Sequence, residues 1–266
     1  IFDSFSDSII NLGKINDNLS AIMTTLFNQL VDDCQELVDF GSYVTIGSGG
    51  TPRTAIPEYW NGKIPFFTPK DVSNVYTHST EKYITHLGLK NCNSGLYPKN
   101  TTIITARGTV GKIALTACDM AMNQSCYAII TKQIGHEHFI HQLSIYTIQS
   151  IKQKSNGAVF DAINAKDITE EQVPLISEQT IDNYEKSVSP LYEEIWKNGL
   201  EIQSLTTLRD LILPKMMAGE IDILSLELPT KYSFGRPLGY VLLMGVLHIL
   251  LIYHGIVERC IDPYVP

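Results

Sequence analysis

Several stretches of this sequence hold residue types suited to phosphate, metal or acyl chemistry, and most fail on spacing. Arg107-Gly108-Thr109-Val110-Gly111-Lys112 has the glycines and lysine of a phosphate loop. A P-loop needs another glycine five residues before its Gly-Lys pair, where Ala106 stands. It also needs Ser or Thr after the lysine to bind magnesium, where Ile113 stands. The segment reads instead as a tight turn presenting Arg107 and Lys112. The Gly47–Gly50 cluster lacks GxGxxG spacing, because Pro52 occupies the third position after Gly49. The seven histidines contain no HExxH or paired metal spacing, and no GxSxG appears. His136, His138 and His141 cluster without a carboxylate or cysteine at matching spacing, and read as a surface feature. Five cysteines (Cys34, Cys92, Cys118, Cys126, Cys260) are odd in number, scattered and never in a CxxC pair. That favours neither a zinc site nor a disulfide framework, and suits a reducing, cytoplasmic setting. No catalytic residue, metal ligand or cofactor site is assigned.

The residues that remain are polar and basic ones on loops, and long helices flank them. From Glu178 to Leu213, Ile181, Tyr184, Val188, Leu191, Ile195, Asn198, Ile202 and Leu205 recur at alternating spacings of three and four. That is a coiled-coil seam with one asparagine on it. A helix of this length extends about 50 Å at 1.5 Å per residue and cannot bury its stripe alone. Residues 3–33 supply a second such pattern through Leu12, Ile15, Leu19, Ile22 and Leu26. The two predict an antiparallel pair, with Asn198 helping to set register. Ser177 is the expected N-cap of the second helix. Pro190 inside it costs about 3 kcal/mol, yet the heptad phase holds across it, which predicts a kink and not a break.

Between the helices the texture changes. Short β-branched and aromatic runs, Ile64 to Thr68, Thr101 to Thr105 and Tyr127 to Thr131, alternate with turn residues such as Asn61-Gly62 and Pro98-Lys99-Asn100. These predict strands of a mixed, irregular sheet. Residues 136–152 read as a helix with Phe139, Leu143 and Ile148 on one side. The expected fold class is α+β, one α/β domain carried on long antiparallel coiled-coil helices. Its divisions are an N-terminal helix at 1–40, the α/β domain at 41–176, a C-terminal helix at 177–222 and an atypical hydrophobic tail at 223–266. Within the tail, Leu238 to Ile256 is 19 residues without Asp, Glu, Lys or Arg, long enough for a membrane span. A helix docked on protein, or an extension without function, are the other readings.

Net charge is −8, but the average conceals a split. Residues 41–172 carry 12 Lys and Arg against 9 Asp and Glu; the flanks carry the other 8 against 19. A mildly basic middle on acidic arms permits a nucleic-acid-facing domain without demanding one. The chain opens on Ile rather than Met, which suggests a fragment of a longer product.

One ordered set of short motifs goes further. It runs Ser48-Gly49-Gly50-Thr51-Pro52, Tyr59-Trp60-Asn61-Gly62, Ile64-Pro65-Phe66, Lys70-Asp71, Arg107-Gly108-Thr109-Val110-Gly111, Asn123-Gln124 and Pro174. Glu178-Gln179 then leads a heptad helix to Leu213-Pro214-Lys215 and Gly219-Glu220-Ile221. This order resembles the specificity (S) subunit of type I restriction–modification systems over roughly residues 1–223. No motif is strong alone; the ordered set is. The resemblance implies that 41–176 is a target recognition domain that binds double-stranded DNA, and that the helices are spacers. Members usually carry two such domains, so the chain resembles a C-terminal half or half-length form.

The resemblance also implies a non-catalytic subunit, serving DNA methylation and defence against foreign DNA, that recruits methyltransferase (M) and restriction (R) subunits. S-adenosylmethionine, ATP and magnesium belong to that assembly, and nothing in this chain binds them. Self-dimerisation through the coiled coil is a further partner reading. In such a domain Lys and Arg fix register on phosphates while polar side chains face base edges. Loop tips at 47–53, 70–76, 105–112 and 154–157 are the natural places. Arg53, Lys70, Arg107 and Lys112 are candidates for charged contacts; Thr51, Thr109, Asn123 and Gln124 are candidates to position or read. Against each stands a bland reading: loop cations are mostly just solvated, and Asn123-Gln124 before a strand can bond only local backbone. The competing function is a coiled-coil protein-interaction adaptor, tethered to a membrane by the tail.

Overall fold

The β-branched runs form the strands their composition predicts. The structure, a computed structural model, describes residues 2–32, 34–154 and 162–218. The hydrophobic segment 238–256, Gly219 and residues 155–157 of the expected loop tip lie outside the described residues. In chain order the elements are α1 (Phe2–Asp32), β1 (Leu37–Asp39), β2 (Val44–Ser48), β3 (Trp60–Phe67), β4 (Tyr76–Thr77) and β5 (Lys82–Ile84). The short α2 (His86–Lys90) precedes β6 (Thr102–Thr105), β7 (Ile113–Thr116), β8 (Ala121–Met122) and β9 (Cys126–Thr131). Then come α3 (Glu137–Lys154), α4 (Ala165–Thr169), β10 (Gln172–Pro174) and α5 (Glu178–Met217). The fold is α+β. Among the described residues no helix is long and apolar enough to cross a membrane.

The described residues divide into two compact units, residues 14–201 and residues 2–13 with 202–218. In the larger, five strands form a mixed sheet in the order β2-β9-β6-β7-β4, and β5-β3-β8 form a second. β1 and β10 close the domain as an antiparallel pair with Val38 opposite Val173. The central strand β6 shows why two sheets pack here. Successive side chains of a strand point to opposite faces, so Ile104 joins Leu115, Ile129, Phe139 and Leu143 in one core. Ile103 joins Phe67, Met120, Met122 and Ala128 in another. Every residue of β6 is buried.

Within this unit α1 and α5 run antiparallel. The Asn198 side-chain amide donates to Asn16 Oδ1 at 2.8 Å, and both residues are buried. Nearer the domain, the Tyr184 hydroxyl donates to the Met23 carbonyl and the Phe27 ring meets Tyr184 edge-on. The apolar stripe of α5 serves the domain as well as α1: Ile181, Tyr184, Val188, Tyr192 and Ile195 share a core with Phe139, Ile140 and Val173. Ser177 Oγ accepts the Thr180 amide at the start of α5. The helix continues through Pro190, which lies on its exposed side. In the smaller unit, Leu205 and Leu208 pack with Phe5, Ile9 and Leu12.

The histidine cluster is not the surface feature that spacing suggests. His136 and His141 are buried and His138 is nearly so. Their carboxylate partners come from α5, 46 and 47 residues away: His136 Nε2 to Asp182 at 3.0 Å, and His138 Nδ1 to Glu185 at 2.9 Å. His141 Nδ1 meets the Tyr192 hydroxyl at 2.8 Å, and Tyr192 also accepts from Gln142 Nε2. His138 stacks on the Tyr192 ring with centroids 4.2 Å apart. Burial pushes the His141 imidazole down to about 3, and His138 adds to that shift. The trio fastens α3 to α5. A reading limited to neighbours in sequence could not supply those partners.

Candidate nucleic-acid interface

The turn 122–126, between β8 and β9, is a hub on which three other loops end. Gly50 N–H donates to Met122 O at 3.0 Å, Asn123 N–H to Phe67 O at 3.0 Å, and Ala106 N–H to Ser125 O at 2.7 Å. The loops after β2, after β3 and after β6 are thus each tied by backbone to one turn. Those loops carry Thr51 and Arg53, Lys70, and Arg107 with Thr109 and Lys112.

Each loop has its own reason to hold shape. Gly49 permits close approach: a Cβ there would lie 1.9 Å from Asn123 O. The Thr51 hydroxyl then donates to Gln124 Oε1. Trp60 Nε1–H donates to Arg53 O at 3.3 Å, and the Lys82 ammonium lies 5.8 Å from the Trp60 ring centroid. Lys70 sits in a turn pinned by the Asp71 carboxylate. That carboxylate accepts from Thr68 N–H at 2.8 Å, Thr68 Oγ1–H at 2.7 Å and, from another loop, Glu81 N–H at 2.7 Å.

The segment resembling a phosphate loop is the tip of the β6–β7 hairpin. Gly108 and Gly111 take positive φ of 81° and 74°, conformations that favour glycine. The Thr105 side chain ties the tip inward, donating to Thr109 O and accepting Lys112 N–H at 3.0 Å. Lys112 lies on β7's side of the hairpin, one strand further from the hub than Arg107.

Of the eight residues singled out from sequence, Thr51, Arg53, Lys70, Arg107, Thr109, Lys112 and Gln124 are exposed, and Asn123 is half-buried. Among the described residues, no ion pair engages Arg53, Lys70, Arg107 or Lys112. Asn123 Oδ1 accepts Ser125 N–H at 3.0 Å, a bond that shapes the turn. Sequence reasoning missed the positioning roles of Asp71 and Trp60. It also missed Tyr97, whose hydroxyl donates to Ser48 O at 2.7 Å and whose ring presses on Gly47. Asp71 closing a Thr-Pro-Lys-Asp turn is the one signal that local chemistry could have supplied. Among the described residues no cluster of His, Cys, Asp and Glu could hold a metal ion.

This arrangement has relatives. The family model for the type I restriction modification DNA specificity domain matches residues 36–182. The specificity subunit of type I restriction enzyme MjaIX from Methanocaldococcus jannaschii is 31% identical over 147 residues, 53% of this chain and 33% of that protein. The HindI specificity subunit from Haemophilus influenzae is 24% identical over 194 residues, 71% of this chain and 41% of that protein. The crystal structure of a type I restriction-modification S subunit from M. genitalium shares the fold, with a TM-score of 0.60 at 16% identity. That match covers 80% of this chain and 58% of that one. The chain therefore spans 33% and 41% of these two curated relatives' lengths.

Proposed function

The chain belongs to the type I restriction modification DNA specificity domain family, and from that premise we propose that it is a sequence-specific DNA-binding specificity subunit. It reads one half of a bipartite duplex target through residues 41–176. It performs no chemistry itself and recruits methyltransferase and restriction subunits that do, in the cytoplasm. Its long helices act as spacers, and a second recognition domain comes from another part of the subunit or from a second copy bound by dimerisation.

The observation that carries this reading is the hub at 122–126, with three loops tied to it and exposed cations on each. Lys and Arg held on a fixed frame, without carboxylate partners among the described residues, suit phosphate contacts. Such contacts fix register while neighbouring polar side chains meet base edges. The adaptor reading gains no support from the relatives named above, which are specificity subunits.

Binding of the full chain, with its methyltransferase partner, to a pool of duplexes at rising salt tests the proposal. Each phosphate neutralised contributes a slope of about −0.9 in log affinity against log salt, so four such cations give roughly −3.6. A salt-insensitive response, or equal affinity for every duplex sequence, overturns it.

A further inference from the structure

We propose that Gln124 is a specificity-determining residue, held by Thr51 so that its Nε2 donors meet a hydrogen-bond acceptor on a base edge. The assignment rests on the DNA-binding reading above and adds the chemistry of one contact.

The hub turn offers two adjacent polar side chains, and the structure separates them. Asn123 is half-buried, and its side-chain oxygen serves the turn itself. Its Oδ1 accepts Ser125 N–H, while its backbone N–H donates to Phe67 O and its backbone carbonyl accepts Cys126 N–H at 3.2 Å. Gln124, next to it, is exposed and is held by Thr51 through Oε1.

That bond matters because a carboxamide has two unlike ends. The Thr51 hydroxyl donates to Oε1, so the carbonyl end turns toward the protein and the two Nε2–H donors turn away from it. Thr51 is not there by chance of a flexible loop. Gly49 and Gly50 let the loop backbone lie against its neighbours: added Cβ atoms would meet Asn123 O at 1.9 Å and Asn93 N at 2.6 Å. The Gly50 N–H to Met122 O bond fixes the loop two residues before Pro52, which is buried. Residues 73 positions apart in sequence are thereby brought to one point.

A side chain leading with donors selects among bases. In the major groove guanine offers O6 and N7, thymine offers O4 and adenine offers N7, whereas cytosine presents only the N4 amino group, donor against donor. Gln124 therefore favours a guanine, thymine or adenine edge and rejects cytosine. The cations on the loops tied to this turn suit the neighbouring phosphates.

The test is selection of duplexes from a randomised pool by the full chain, comparing wild type, Gln124→Ala, Gln124→Glu and Thr51→Val, with thermal melts of each as the folding control. Wild type disfavours cytosine at one position and enriches guanine, thymine or adenine there. Gln124→Ala loses that preference by roughly 5- to 150-fold and keeps the others. Gln124→Glu moves the same position toward cytosine, because a carboxylate accepts from N4. Thr51→Val weakens the same position alone. If wild type enriches nothing, the DNA-binding reading falls and this assignment with it. If wild type enriches a site and Gln124→Ala retains every preference, or Thr51→Val leaves that position unchanged, the assignment alone is overturned.

Discussion

Two regions of this molecule are rich in polar side chains and treat them in opposite ways. Where α3 meets α5, the polar groups, apart from the exposed Asp182, are buried or nearly so and turned toward each other. His136 meets Asp182, His138 meets Glu185, and His141 and Gln142 share the Tyr192 hydroxyl. Around the hub at 122–126 the polar groups are exposed, and the cations there lack ion-pair partners among the described residues. An unpaired polar group costs free energy only where water cannot reach it. The first region therefore had to be completed internally, whereas the second can remain open to a ligand. Sequence spacing misses this distinction. It marks His136, His138 and His141 as a surface feature, and three-dimensional partners reverse that reading.

The largest effect that tests the comparison belongs to Glu185. Its carboxylate is buried, accepts Phe139 N–H at 2.7 Å near the start of α3 and holds His138 through its other oxygen. A carboxylate there meets unpaired helical amides and the positive end of the helix dipole. Glu185→Ala is expected to lower unfolding stability by about 3 kcal/mol, read as a drop in the urea midpoint. Glu185→Gln keeps an acceptor and loses less. A loss below about 1 kcal/mol for the alanine variant would mean that water replaces the carboxylate, and the two regions would not differ as described.

A smaller, graded effect comes from pH. His141 is buried and neutral, with His138, Gln142 and the Tyr192 hydroxyl around it, and its folded pKa is pushed down to about 3. Unfolded, it titrates near 6.5. Below that value the unfolded chain binds a proton that the folded chain refuses. The contribution is therefore intact above pH 6.5 and is lost as pH falls toward 3, at up to about 1.4 kcal/mol per pH unit. His141→Gln should flatten that part of the stability–pH curve; an unchanged slope would show that His141 does not carry it.

Much of the frame was legible because its signals are local. Thr101 to Thr105 reads as a strand because β-branched residues suit a pleated surface, and β6 occupies Thr102–Thr105. Phe139, Leu143 and Ile148 read as one helix face, and all three are buried on α3. The apolar spacing along α5 is equally local, but not what that stripe packs against. Nothing in the sequence reveals that Tyr192 and Val188 face the domain core as well as the other helix. Parallel pairings such as Phe66 with Ala121 were likewise invisible, because their partners lie 55 residues apart. The candidate cations were legible as loop residues. Their attachment to one turn was not, since it rests on backbone bonds between distant segments.

The smallest expected effect on folding separates a working surface from a structural one at adjacent residues. Lys70 is exposed and has no ion pair among the described residues, while the Asp71 carboxylate accepts three hydrogen bonds that close the turn and tie it to Glu81. Lys70→Ala should stay within about 0.5 kcal/mol of wild type in urea unfolding. It should also weaken duplex binding across all sequences and reduce the salt slope by about 0.9. Asp71→Ala should instead cost about 1–3 kcal/mol of stability, because Thr68 and Glu81 amides lose their acceptor. The same change should disturb binding by moving Lys70 and not by removing charge, so the salt slope shifts less than affinity does. Were Lys70→Ala to destabilise the fold as much as Asp71→Ala, the lysine would belong with the histidine network, as a group completed inside the protein, and the loops around the hub would lose their claim to be an open surface.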